Sequence, residues 1–376
     1  MKCSRVVAGL LVLAGIVALA GVAFATAEGE SSEPLLISRW AGSHADDLKD
    51  VVADYPYGQV IVDDIAYGSL RQKQLTSFQV APGSGSYDAV WVANQWMKEY
   101  VDAGYLMPLD DLIAETNFDT SIYAAGMMDG VRFDGSTYGL PTFAQTLILT
   151  YDSAAFDAAG IDPPTTSDEL VEVARYFKEN GTGIAIPARQ GDGAVTLYAQ
   201  IMYSSGGDYF DEDGNLALTS PESIYAATIY DQLAEYAVEG ALAWHHGEVA
   251  EAVRTKTAPI GTVMSGLAYL DADPEVSLIV DSVEYTELAG PDGFAAGKNN
   301  FWVWCIPANA PDPEASFRLI RWLTSPETEK EMTLLNQQVS AITSLANDPE
   351  VLAAAPFLPV VMEELYDLIF DPNEAA

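Results

Sequence analysis

The chain predicts an α/β fold with room for two lobes, on three observations. Short apolar runs of strand character alternate with capped, amphipathic helical stretches. At 376 residues the chain is long enough for two lobes, each burying its own core. Its composition, 49% hydrophobic and 19% charged, is that of an ordinary globular protein, with 55 acidic against only 17 basic residues as the exception.

Residues 1–27 read as a cleaved secretory signal rather than part of the fold. A basic start with Lys2 and Arg5 precedes an apolar run over 6–22, and Ala23-Phe24-Ala25 or Ala25-Thr26-Ala27 supplies small residues for cleavage. The run is also of a length that an uncleaved membrane anchor would need. Cys3 lies before the run, so it is not the lipid-bearing cysteine that would follow one. Cleavage leaves Cys305 alone among Ile, Val and Trp, which reads as a core thiol.

A buried-strand pattern at 35–38 runs into Arg39-Trp40-Ala41-Gly42-Ser43-His44. A helix over 46–55, a strand over 59–65 and a helix over 69–80 follow. The next strand opens at Tyr87-Asp88 and ends in Asn94-Gln95-Trp96. Ligands of α/β sheets sit beyond the carboxyl ends of strands, which singles out Asn94, Gln95 and Trp96 and leaves Trp91 to the core. The stretch 135–152 is a turn, an extended piece halted by Pro141, and an apolar strand. Thr142, Phe143, Gln145 and Thr146 stand at the junction, a place for a hinge.

Beyond it, Thr166 to Glu169 forms a capping box. Leu170, Val173, Ala174 and Phe177 share one helix face, and Gly181 is the stop. A helix over 195–203, carrying Tyr198, leads into a tight hairpin at 208–216. Asp211, Asp213 and Gly214 imitate part of a calcium loop, but Tyr209 and Ser220 occupy its first and twelfth positions and the ligand count fails. After a helix over 221–236 comes Trp244-His245-His246-Gly247-Glu248, whose adjacent histidines cannot share one helix face, so no metal site is expected. A strand over 258–264 ends at Ser265-Gly266-Leu267-Ala268-Tyr269. The last apolar block, 296–307, holds Asn300, Trp302 and Trp304, the last of these reading as core, followed by a helix over 314–323 with Trp322 also packed inside.

Five blocks are similar, in order, to the family 1 extracellular solute-binding proteins of ABC importers. They are the Tyr87-Asp88 strand with its helix closed by Gly104-Tyr105-Leu106; Tyr138-Gly139-Leu140-Pro141 with its strand; Pro163-Pro164-Thr165-Thr166-Ser167-Asp168-Glu169-Leu170; Ser204-Ser205-Gly206-Gly207; and Asn299-Asn300-Phe301-Trp302. The resemblance implies the two-lobed periplasmic-binding-protein fold (type II), each lobe a central sheet flanked by helices. Lobe I is expected at 33–142 and 283–312, lobe II at 146–277 and 313–372, with hinge crossovers at 143–145 and 278–282. It also implies a periplasmic monomer that hands a solute to an inner-membrane ABC permease. The ligand-binding residues so implied are Trp40, His44, Asn94, Gln95, Trp96, Phe143, Gln145, Tyr198, Trp244, Ser265, Tyr269, Asn300 and Trp302. Two positions depart from the family pattern. Ser167 replaces a usual tryptophan in a structural turn, and Leu267 stands near the place of a tryptophan that commonly stacks on the sugar.

The formal net charge of -38 argues against nucleic acid and anionic lipid as partners. Scattered carboxylates such as Asp46-Asp47 and Asp110-Asp111 read as a solvated coat suited to a salty habitat. No nucleophile-elbow, dinucleotide, phosphate-loop or zinc-protease motif occurs, so neither an enzyme nor a cofactor is expected. A carbohydrate is the expected solute, because aromatic platforms suit its C–H faces and amides its hydroxyls. A cationic solute such as a polyamine is the alternative receptor reading, and a secreted glycan-acting enzyme the alternative from another class.

Overall fold

The structure, a computed structural model, describes residues 33–211, 213–297 and 300–362. The leader 1–27, Lys298, Asn299 and the stretch 363–372 lie outside the described residues. Eleven strands run in chain order among those described: β1 Leu35–Trp40, β2 Val60–Ile65, β3 Ala89–Ala93, β4 Arg132–Phe133, β5 Ser136–Thr137, β6 Leu140–Gln145, β7 Leu147–Asp152, β8 Ile260–Met264, β9 Val283–Thr286, β10 Asn300–Cys305 and β11 Val339–Ser340. The six-stranded sheet has the order β11-β6-β10-β3-β1-β2, and β8-β7-β9 form a second sheet.

Each sheet centres its own apolar core. In the first, β1 runs parallel to β2 and β3, while β10 lies antiparallel between β3 and β6. The Ala-Val-Trp-Val-Ala run of β3 is buried at every position, as a strand covered on both faces must be. Two buried polar side chains hold its register. The Asp88 carboxylate accepts from Leu36 N at 2.7 Å, and Gln74 Nε2 donates to Trp91 O at 2.9 Å. Cys305 is buried and free, with its thiol beside Met97 Sδ.

The second sheet gains an extension from isolated bridges between Ala185 and Gly261 and between Ile184 and Ala237. Its helix Ser167–Glu179 begins where its cap requires, with Thr166 Oγ1 accepting from Glu169 N at 3.2 Å. The reciprocal bond lands one residue early, because the Glu169 carboxylate accepts from Thr165 N instead of Thr166 N. The 208–216 hairpin closes through a Phe210–Leu216 bridge, its Asp211 carboxylate accepting from the backbone N–H groups of Asp213 and Asn215.

Three expected boundaries differ. The first crossover lies at Thr146, between β6 and β7, whereas 143–145 are strand residues paired to β10 and β11. The second lies beyond 278–282. The strand β9 pairs antiparallel with β7, Leu288 is in the second core, and Ala296 N still donates to Ser204 Oγ, so the chain crosses back only after Ala296. The C-terminal segment from 313 packs on the first core, through Phe317, Ile320, Met332, Val351 and Phe357, not on the second. An amphipathic pattern records that a helix face is buried, but not which sheet buries it.

Candidate functional site

A cavity of about 300 Å³ lies where the two cores meet at the crossover. From the first core, the end of β1 and its loop bring Trp40, Ala41, Gly42 and His44, while Tyr67, Asn300 and Trp302 complete that wall. From the second come the start of helix His246–Arg254, with His245, His246 and Gly247, then Met264 at the end of β8, and Gly266, Leu267 and Tyr269 from the 3-10 segment Ser265–Ala272. Gln145, the last residue of β6, sits between them.

The first wall is a stack of rings. Trp302 lies over Trp91 with centroids 4.4 Å apart and planes inclined by 26°, and meets Trp40 edge-on at 4.8 Å. Beneath, the Arg39 guanidinium stands 4.1 Å from the Trp91 centroid. Burial lowers the Arg39 pKa to about 9 against the opposing pull of Glu329 and Asp47, so it remains a cation at neutral pH. Burial likewise pushes Glu329 up to about 6, although Thr142, Ser340, Arg39 and Gln338 all favour its charged form. Arg39 Nη1 donates to His44 O at 3.0 Å and so fixes the loop that carries His44.

The His44 ring is 5% exposed, and neither of its nitrogens has a hydrogen-bond partner among the described residues. Burial, with Arg39 nearby, depresses its pKa to about 3, so the ring is neutral and offers one donor and one acceptor. Trp302 Nε1 and Asn300 Oδ1 likewise have no partner among the described residues. Opposite, Gly266 allows a close approach to the crossover. A Cβ there would come within 2.8 Å of both Gln145 Oε1 and Phe143 Cζ. Among the described residues lining the cavity there is no Asp, Glu, Lys or Arg, and all three histidines of the chain are present.

The model of the bacterial extracellular solute-binding protein family matches residues 41–330. The chain belongs to that family. It is 27% identical to the probable amino-acid ABC transporter periplasmic-binding protein y4oP of Sinorhizobium fredii, over 80% of this chain and 70% of that one. It is 25% identical to the maltotriose-binding protein of Pyrococcus abyssi, over 72% of this chain and 58% of the relative. Among solved structures, an ABC transporter solute-binding protein from Agrobacterium radiobacter K84 in complex with ribitol matches with a TM-score of 0.78 and 26% identity, covering 90% of this chain and 88% of that one. The two cores are thus the two lobes of a solute-binding protein, and the cavity lies between them.

Six of the residues expected at the site of this solute-binding protein line the cavity: Trp40, His44, Gln145, Tyr269, Asn300 and Trp302. Two more support it from behind. Phe143 is fully buried and stacks on Trp91 at 6.0 Å, while Trp96 meets the edge of Trp302 at 5.7 Å. The other five are not among the lining residues. Asn94 Oδ1 accepts from Phe301 N, tying β3 to β10, and Gln95 is exposed one residue into its helix. The Tyr198 hydroxyl donates to Ser223 O within lobe II, and Trp244 packs beside Gly240. Ser265 Oγ accepts from Thr146 N and so braces the crossover.

Sequence reasoning missed Tyr67, Met264 and the His245–Gly247 turn. The available signal was the adjacent pair His245-His246 at a helix start after Trp244, and the structure holds the two rings 4.5 Å apart. Leu267 lines the cavity from lobe II without an aromatic ring, which leaves lobe I with most of the aromatic surface.

Proposed function

We propose that this solute-binding protein is the extracytoplasmic receptor of an ABC importer and captures a neutral polyhydroxylated solute, a sugar or sugar alcohol, in the cavity between its lobes. The observation that carries this reading is the lining itself: aromatic surface from Trp40 and Tyr67 backed by buried Trp302, neutral hydrogen-bonding groups from Gln145, Asn300 and His44, and no Asp, Glu, Lys or Arg among the described lining residues. Apolar C–H faces match the rings, and hydroxyls match groups that both donate and accept. The similarity to a ribitol-bound protein and to a maltotriose-binding protein supports the same class.

A polyamine would leave its ammonium groups without a carboxylate, and a free amino acid would leave two charges without an acidic or basic partner among the described lining residues. The likeness to y4oP therefore does not carry an amino-acid reading to this chain. In this mechanism the solute touches both lobes, stabilises the closed arrangement and is delivered to the permease without covalent chemistry. In this reading the receptor works as a monomer outside the inner membrane, is exported by the 1–27 signal, and should show no turnover of glycosides. No helix among the described residues is long and apolar enough to cross a membrane.

A thermal-shift panel of monosaccharides, sugar alcohols, oligosaccharides, amino acids and polyamines tests the reading, because a solute that binds only the folded state raises its Tm. At least one neutral polyol or sugar should raise Tm at micromolar to millimolar concentration. A shift produced by amino acids or polyamines alone would overturn it.

A further inference from the structure

We infer that the site takes a solute the size of a single sugar ring or a short sugar alcohol, and that a stop formed by His44 and Tyr269 sets this length. The inference rests on the neutral-polyol reading above. The cavity of about 300 Å³ lies at the lower end of the roughly 300–1,000 Å³ range of small-molecule sites and is not fully enclosed, which suits one hexose or hexitol better than a trisaccharide held wholly inside it.

The boundary is a contact between lobes. His44, from lobe I, and Tyr269, from lobe II, meet edge-on with ring centroids 5.2 Å apart, and both line the cavity. A saccharide chain running along the cleft past this point would have to part them. Both rings are held by their own lobes. The His44 carbonyl is fixed by buried Arg39, and its ring lies 5.8 Å from Phe143. Tyr269 rides on a segment anchored by Arg254, whose Nη1 donates to Leu267 O at 3.2 Å and lies 3.5 Å from the buried Asp271 carboxylate. The way along the crossover is closed too, since Gly266 packs against Gln145 and Phe143 too tightly for even a Cβ.

Calorimetric titration of the full chain with a length series decides the matter: five- and six-carbon sugar alcohols, monosaccharides, and the di- and trisaccharides built from the best monosaccharide. The parent should bind the best single unit at least tenfold more tightly than its trisaccharide. Tyr269→Ala should weaken binding of the single unit and shrink that ratio to threefold or less, while Tyr269→Phe, which keeps the ring, should preserve it. A trisaccharide bound as tightly as the single unit by the parent overturns the length inference and leaves the polyol reading standing. Binding of charged solutes alone overturns both. A ratio unchanged in Tyr269→Ala overturns the assignment of the stop to this contact.

Discussion

Gln145 is the residue at which sequence, crossover and cavity coincide. It ends β6, pairs in register with Asn300, and is 7% exposed while lining the cavity beside Gly266. Its amide can donate to one hydroxyl and accept from the next. Gln145→Ala should therefore weaken binding by about 1–3 kcal/mol, the cost of leaving a buried polar group unpaired, with little change in the Tm of the unliganded protein. A lowered Tm at unchanged affinity would instead make Gln145 a brace of the crossover.

His44 yields a prediction about pH. Its folded pKa of about 3 lies below the ordinary 6.5, so between those values the unfolded chain binds the extra proton. The stability it contributes is present above about pH 6.5 and is lost as pH falls toward 3. Denaturant titrations of the parent and His44→Asn should diverge over this window, with the variant losing less on acidification. Parallel curves would show that His44 is not buried as described.

At the scale of elements, the crossover depends on a glycine. Gly266→Ala places a methyl group 2.8 Å from Gln145 Oε1 and from the ring of fully buried Phe143. Overpacking of this kind costs about 1–3 kcal/mol. It should appear as weaker solute binding in calorimetry, and Phe143→Leu in the same chain should recover part of it. Full additivity of the two substitutions would contradict the contact.

Most elements around this crossover were legible in the sequence. The alternation of strands and helices, the Thr166 cap and the hairpin at 208–216 are local signals written in adjacent residues. The placements that were not legible are long-range ones. The buried faces around Phe317 and Met332 suit either sheet, and only the pairing of β11 with β6 and the burial of Glu329 against Thr142 show that they close lobe I. The short β9, with half-buried residues, carries too little pattern to reveal its pairing with β7. The site was partly legible for the same reason. Strand ends point to Trp40, Gln145 and Trp302, whereas His245 and His246 reach the cavity through the packing of a distant helix.

At the scale of the whole molecule, charge and closure act on the same two lobes. A formal net charge of -38 makes the compact state repel itself, and salt screens that repulsion over about 10 Å at 0.1 M and less as salt rises. The Tm of the solute-free protein should therefore rise between low and molar salt, and a flat or falling Tm would count against the solvated acidic coat. Binding of a neutral solute in a cavity whose described lining has no Asp, Glu, Lys or Arg should respond far less, so solute affinity should vary little over the same salt range.

The central claim is that a neutral polyhydroxylated solute lies between the lobes against Trp40, Tyr67 and Gln145. The most direct test is a crystal structure of the protein grown with its tightest binder from the thermal-shift panel. The account predicts density for one neutral solute in the cavity, stacked on the lobe I rings and hydrogen-bonded by Gln145 and Asn300. A tightest binder that carries charge, or density outside the cavity, would contradict it.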